Sequence, residues 1–545
     1  MRWLLSALPP SARRSQVVAR QIFSTAGRLG PAPQGRRWDQ PARSGVVGLP
    51  SYCQNEYIGL LAYQKLLLQQ CTFSSGRETA TYSSTAEVSD LPPREGKNTR
   101  NVEVEIISKE NIIPSSPTPN HLRTYKLSLL DQFIPPMYNP FVFFYSNSVS
   151  EDLNDVIIER SKRLKQSLSE TLTRFYPFAG TVKDNLHIDC DDAGVYYVEA
   201  RVKDNLSNFL NKPDYKLVHK LLPYDLNSSE PQSRPLIVMV QVNIFECGGM
   251  AISICTSHKI VDGMTYSTFL KAWAGNARGS SEQAVSPNFN APLLFPQNPS
   301  LHNDSSIVPE TSLLQKSTRA VRRFVFDASA LAALKEEASG LGAQKPTRVE
   351  ALAALFWKCA ASASEARHGS QRLSILSTAV DLRSRSVPAL PKESIGNIVF
   401  HAFAKSAGNS ELELPSLVSR VRKAIEKING DLVEEIKGDD GFINLAKRQM
   451  EFLDDYSNSG TDFFFVASLC NAGFYEGDFG WGKPLWSCIA SASIDSPTFP
   501  NQMFLIETRS GGIEAWVNLD KQDMAFFEQN PELLALASLD PSPLT

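Results

Sequence analysis

The sequence predicts an α/β protein of two domains, and three observations carry that expectation. Strand-like alternation and helix-like apolar spacing mingle in both halves of the chain. At 545 residues the chain is too long for one hydrophobic core. A stretch rich in Pro, Asn and Ser over 286–318 divides it. The composition is ordinary for a globular protein, 42% hydrophobic and 21% charged with a net charge of −3. It excludes collagenous, disordered and disulfide-scaffold classes and gives no whole-chain footprint for nucleic acid or an anionic membrane.

Residues 1–40 are rich in Arg, Ser and Ala with no acid before Asp39. That is the composition of an organelle transit peptide, with Arg20-Gln-Ile-Phe-Ser-Thr-Ala as a processing region; a weakly structured extension with no targeting role fits it equally. Twelve basic residues face six acidic ones over 1–97, a net +6 that leaves −9 on the remainder. Residues 74–100 read as linker. The expected organisation is an extension at 1–97, a first domain at 98–300, a crossover linker at 301–318 and a second domain at 319–545. Pro9-Pro10 cut short the apolar stretch begun by Trp3-Leu4-Leu5, so a secretory signal is not expected. No apolar run approaches the ~18–20 residues of a membrane span. Eight cysteines without a Cys-x-x-Cys pair fit buried thiols of a reducing compartment. The expected location is cytoplasmic, or a mitochondrion or plastid if residues 1–40 direct import.

Regular patterning begins at Asn101, where Val102, Val104 and Ile106 alternate with polar residues as in a strand. Residues 140–146 form an aromatic strand. From Leu153 to Phe175 the set Ile157, Leu164, Leu168, Leu172 and Phe175 falls at helical spacing, and Tyr176-Pro177 ends it. A hairpin follows, Leu236–Phe245 and Met250–Thr256 about a turn at Glu246-Cys-Gly-Gly249, then a helix through Phe269, Leu270 and Trp273. In the second half Val321–Phe326 is a strand and Ala328–Ala338 a helix. Thr347-Arg-Val-Glu350 is a capping box opening a helix with Leu352, Leu355 and Phe356. Arg372–Leu382 contains a strand, Pro415–Ile428 and Glu434–Phe452 read as helices, and Phe463–Ser468, Met503–Glu507 and Ile513–Val517 as strands.

Gly-x-Ser-x-Gly, His-Glu-x-x-His and zinc-spaced Cys/His clusters are all missing from the sequence, so three common hydrolytic designs lose support, and no metal site is expected. Gly477-Asp-Phe-Gly-Trp-Gly-Lys-Pro484 is a poor phosphate loop. Pro484 has no hydroxyl for Mg²⁺, and Asp478, Phe479 and Trp481 put charge and bulk where backbone N–H groups would cradle phosphate. Its glycines, Gly480 and Gly482 among them, suit a tight structural loop. His258-x-x-x-Asp262-Gly263 stands between a strand and a helix, where catalytic groups gather. The spacing admits two readings. His258 is either a base at neutral pH or a structural histidine, and Asp262 can simply cap the helix.

The two motifs together, His258-Lys-Ile-Val-Asp262 and Asp478-Phe-Gly-Trp-Gly482, resemble the signature pair of the plant BAHD acyl-CoA-dependent acyltransferases. Their order and wide separation match as well. Ile113-Pro-Ser-Ser-Pro-Thr-Pro119, Leu127-Ser-Leu-Leu-Asp-Gln132, Phe175-Tyr-Pro-Phe-Ala-Gly180, Phe245-Glu-Cys-Gly-Gly249, Asp381-Leu-Arg-Ser-Arg385 and Gly396-Asn397 are similar to the family's alkaloid-acetylating branch, over about 101–540. The resemblance implies two similar chloramphenicol-acetyltransferase-like domains, each a mixed sheet with flanking helices, with a channel between them. It implies that His258 is the general base, that Asp262 points away and pairs with Arg383, and that the Asp478–Gly482 loop is structural.

The implied reaction is direct acyl transfer from acyl-CoA, acetyl-CoA first, to a hydroxyl of an alkaloid or terpenoid in a ternary complex. A monomer with no bound cofactor and no nucleic-acid partner is expected. Lys345, Thr347 and Arg348 open a helix whose N-terminus suits a CoA phosphate, although exposed caps are common. Where relatives carry Ser-Trp-Cys and a basic residue, this chain has Ser468-Leu469-Cys470-Asn471, so Leu469 implies an altered acceptor space. Two alternatives stand beside this reading. One is carrier-dependent condensation, against which Ser257 replaces that class's second His. The other is a non-catalytic binding protein on the same fold.

Overall fold

The computed structural model describes residues 101–544, apart from segments 148–151, 224–234, 280–284, 302–317, 341–344, 407–411, 457–459 and 491–500. The transit-peptide and linker readings, Cys53, Cys71 and most of the 301–318 crossover therefore lie outside the described residues. What is described belongs to one compact unit. The strands of its first half are β1 (Val104–Ile112), β2 (Thr124–Lys126), β3 (Tyr138–Tyr145), β4 (Thr181–Lys183), β5 (His187–Asp189), β6 (Val195–Val202), β7 (Val238–Phe245) and β8 (Met250–Ser257). Those of the second are β9 (Arg319–Phe326), β10 (Ser374–Asp381), β11 (Val399–Ser406), β12 (Asp462–Ser468), β13 (Trp486–Ile489), β14 (Gln502–Glu507), β15 (Ile513–Asp520) and β16 (Ser538–Leu539).

They form two large mixed sheets, β1-β6-β7-β8-β3-β13 and β11-β10-β12-β14-β15-β9-β16, and a small one of β2, β5 and β4. β6 and β7 are parallel in the first, as are β10, β12 and β14 in the second; their neighbours are antiparallel. Each large sheet buries one face under helices. Leu164, Leu168 and Leu172 of helix Leu153–Arg174 join Phe269 and Trp273 of helix Gly263–Ala277 in the first core. Leu352, Leu355 and Phe356 of helix Arg348–His368 meet Leu376, Phe464 and Leu505 in the second.

The predicted hairpin, the Leu153 helix and the Thr347 capping box are all present. Other expectations need correction. Glu434–Phe452 is not one helix but Gly430–Ile436 and Gly441–Tyr456, because Gly438 at φ +71° interrupts the helical backbone. β1 is an edge strand with Ile106 45% exposed, and its register slips between Ile106 and Ser108, so the alternation read there does not mark a buried face. Cys247 is an exposed free thiol, while the other five described cysteines are buried.

The largest departure is β13. This strand follows the second motif in sequence, yet it pairs with β3 at the edge of the first sheet, Trp486 opposite Phe144 and Ile489 opposite Phe141. Trp486 fixes the crossing. Its ring stacks on Phe144 at 5.3 Å, and its indole N–H donates to Glu514 of β15 at 3.0 Å. Arg323 of β9 lies 5.1 Å from the centre of that ring and pairs with the same Glu514 at 2.8 Å. A buried carboxylate with two donors thereby joins the sheets, and desolvation still pushes its pKa up against the pull of Arg323. Trp486→Phe keeps the ring and removes one donor. We expect a loss of about 1–3 kcal/mol in urea denaturation; an unchanged midpoint would show that the indole N–H does not support the crossing.

Candidate active site

The loop His258–Asp262 leaves β8 and enters helix Gly263–Ala277. Backbone bonds hold its start, Ser257 N–H to the Ile237 carbonyl at 2.7 Å and His258 N–H to that of Met137 at 2.8 Å. Asp262 holds its end. Its Oδ1 accepts the Thr265 N–H at 2.8 Å as a helix cap. The same carboxylate takes both arms of Arg383, Nη1 to Oδ2 at 2.8 Å and Nη2 to Oδ1 at 3.1 Å, and Oδ2 also accepts the Ile398 N–H. The two readings of Asp262, cap and ion-pair partner, therefore hold at once. Arg383 is 1% exposed and spends its remaining N–H groups on Asp381, Thr265 and the carbonyls of Ser394 and Gly396. Desolvation opposes its charge, but the two carboxylates outweigh it and its pKa rises.

Gly396-Asn397-Ile398 completes the enclosure from the second half. Gly396 adopts φ +130°, a backbone conformation closed to most side chains, and its N–H and carbonyl both bond the Thr265 hydroxyl. Asn397 follows, with its amide nitrogen donating to the His258 carbonyl at 2.7 Å and to Asp131 Oδ1 at 2.8 Å. A carbonyl only accepts, so the amide nitrogen must face it, and the amide oxygen must face the ring. That oxygen lies 2.9 Å from His258 Nδ1. Nδ1 therefore carries the proton, and Nε2 presents its lone pair with no hydrogen-bond partner among the described residues. Asp131 is fully buried and accepts the Asn397 N–H, the Ser128 N–H and the Ser128 hydroxyl as well.

The ring of His258 is half-buried by surface, yet protein surrounds it closely enough that desolvation lowers its pKa from 6.5. Its own backbone, Asp262 and Asn397 pull the other way, and Lys259 adds to the lowering. The group is enclosed by protein yet keeps part of its surface in reach of solvent. Lys259 is itself buried and brought down to about 8, with its ammonium held by the carbonyls of Gln132 and Ile134. A second histidine, His401 of β11, is brought down to about 4 by burial and then by His258.

The structure also places the other predicted residues. Asp478 Oδ1 accepts the N–H groups of Gly480 and Gly482, both at φ +106°, which closes the loop on itself. Phe479 is buried edge-on to Trp273 at 4.9 Å, and Trp481 lies under the Arg160 guanidinium at 5.2 Å. This loop packs on the helices of the first core and does not contribute to the His258 cluster. Thr347 caps its own helix, Lys345 pairs with Glu336, and Arg348 pairs with Glu507 at 2.8 Å, so all three are engaged within the protein. Leu469 sits where the His258–Asp262 loop enters its helix, its Cδ2 2.4 Å from where a Cβ on Gly263 would stand.

Asn397, Asp131, Lys259 and His401 had no assigned role in the sequence. Ser128-x-x-Asp131 has capping-box spacing and could have been flagged as a helix start; Asn397 lies 139 residues from His258 and has no local signal. No cluster of His, Cys, Asp and Glu able to hold a metal ion occurs among the described residues, and none of their helices is long and apolar enough to cross a membrane.

Residues 102–534 match the Transferase family. Limonoid 7-O-acetyltransferase of Citrus sinensis is 43% identical over 459 residues, covering 81% of this chain and 100% of that protein. Vinorine synthase of Rauvolfia serpentina is 36% identical over 454 residues, or 80% of this chain and 99% of that protein. Its crystal structure matches with a TM-score of 0.69 at 33% identity, covering 81% of this chain and 100% of that one. TRI101 of F. sporotrichioides, in complex with coenzyme A and T-2, shares the fold at 18% identity and a TM-score of 0.58, covering 76% and 99%.

One consequence is testable without substrate. Asp262→Ala leaves Arg383 buried without its carboxylate partner, and urea denaturation should register a loss of about 3–5 kcal/mol. Arg383→Lys should not be tolerated as conservative, because a lysine cannot fork onto both oxygens. A loss below about 1 kcal/mol in the alanine variant would mean the pair does not hold the loop.

Proposed function

The chain belongs to the BAHD acyltransferases and has their chloramphenicol-acetyltransferase-like fold, and we propose that it transfers an acyl group from acyl-CoA to a hydroxyl of a plant specialised metabolite. The observation that carries this reading is the fixed tautomer of His258, Nδ1 bound by Asn397 and Nε2 left with a free lone pair.

An alcohol is a poor nucleophile until its proton is taken. Nε2 of His258 accepts that proton while the oxygen attacks the thioester carbon. The tetrahedral intermediate collapses with loss of the C–S bond, and the imidazolium returns the proton to the departing thiolate. A serine or cysteine nucleophile is not required, so both substrates are bound together and no acyl-enzyme forms. Acetyl is the acyl group favoured by the names of the relatives, and an alkaloid or terpenoid alcohol the favoured acceptor. Leu469, against the base loop, belongs to the acceptor side in this reading.

A thiol-release screen of acyl-CoAs against plant alcohols tests the reaction class. His258→Ala should then lower turnover by about 10²–10⁴-fold, and full thiol release by that variant would remove the base assignment. The pH dependence is a separate check. His258 has its pKa lowered from 6.5 by burial, so the base form persists into mildly acidic solution. We expect kcat/KM to rise with pH, to bend below 6.5 and to be level through neutrality; a bend above 6.5 would contradict a desolvated base.

A further inference from the structure

β11 continues directly from the segment that holds His258. Successive side chains of a strand alternate between faces, and here the division is unambiguous. Ala402 and Ala404 are buried in the second core, against the helices. His401 and Phe403 face the other way, on the side from which Asn397 reaches His258. The neighbouring strands agree. Leu376 and Phe464 face the helices, whereas Phe465 of β12 and Phe504 of β14 are half-buried and stand 6.1 Å apart on the His401 side. The rings of Phe465 and Phe403 lie 5.6 and 6.3 Å from that of His401. Ala467 is two residues on from Phe465 in the same strand, and Leu469, the first residue after β12, touches the start of the helix that follows the base.

The second sheet thus presents a half-buried aromatic face on the side of His258, with the imidazole of His401 set into it and Phe504 packed against the first core at its far end. The Nδ1 of His401 is 3.1 Å from the hydroxyl of Ser377, which is buried in β10. Its Nε2 has no hydrogen-bond partner among the described residues. Burial and the nearby His258 keep the ring neutral throughout the working range of the base. A neutral ring held by a hydroxyl can offer Nε2 as donor or acceptor, since a hydroxyl serves either role at Nδ1.

We propose that this face receives the rigid apolar body of the acceptor and that His401 Nε2 hydrogen-bonds a second oxygen of that molecule, remote from the hydroxyl that is acylated. This rests on the acyl-transfer reading and adds to it a substrate class: polycyclic alcohols with a ketone, ether or second hydroxyl at a fixed distance from the reacting one. A wall of apolar rings discriminates weakly between such molecules, while one placed polar atom discriminates by the hydrogen bond it makes or leaves unmade.

The test is a ratio. Thiol release from acetyl-CoA is measured for pairs of hydroxysteroids and hydroxylated polycyclic terpenes, the two members differing only in the remote oxygen. The wild-type protein should prefer the oxygenated member of at least one pair. His401→Phe, which retains an aromatic ring, should reduce that preference in kcat/KM by about tenfold, and His401→Gln should keep most of it. A ratio is insensitive to the fraction of a variant that is folded. The same preference in His401→Phe as in wild type would overturn the proposal, as would wild-type turnover without preference in any pair. No thiol release by wild type with any alcohol would instead overturn the acyl-transfer reading beneath it.

Discussion

A buried ion pair, Asp262 with Arg383, is the constraint on which the His258 cluster depends. Removing a carboxylate and a guanidinium from water is costly, and the attraction between them offsets that cost only when their remaining lone pairs and protons are also bound. Here they are. Asp262 accepts from Thr265, from Ile398 and twice from Arg383, and the guanidinium reaches Asp381, Thr265, Ser394 and Gly396. The pair spans 121 residues of sequence, so the loop that carries His258 is fixed by the other half of the chain.

That arrangement separates two tasks that a single aspartate performs in the Ser-His-Asp design. The carboxylate of this motif locks the loop, and an amide orients the imidazole. Asn397 carries no charge and takes no proton, so His258 is oriented without a carboxylate at Nδ1 to raise its basicity. Burial then decides the direction of its pKa, which is downward. The carboxylate is displaced one step outward: Asp131 binds Asn397 rather than the ring, and is itself saturated by Ser128.

Much of the fold was legible because it is written locally. Helix Leu153–Arg174 is an apolar stripe ended by Tyr176-Pro177, the Thr347 box contains its own donors and acceptors, and β7 and β8 flank a glycine turn. The unread parts depend on distant partners. Trp486-Ser-Cys-Ile489 is too short to show any periodicity, and only its pairing with β3 makes it a strand. The same holds for the site. His258 and Asp262 announce themselves by spacing, whereas Asn397 matters because a turn at Gly396 brings it beside a histidine 139 residues away. His401 reads as one more polar residue in a strand until the sheet gives that strand two unlike faces.

The crossing of β13 also governs how the chain can reach its native state. Tyr145 donates to the carbonyl of Gly477 across 332 residues, and β13 begins nine residues after that contact at Trp486. During synthesis the first sheet therefore waits, with the outer edge of β3 and the ring of Phe144 uncovered, until nearly the whole second half has left the ribosome. Such long-range pairing slows folding and exposes an unpaired hydrophobic edge meanwhile. A fragment ending near residue 300 would lack the strand that closes its own sheet.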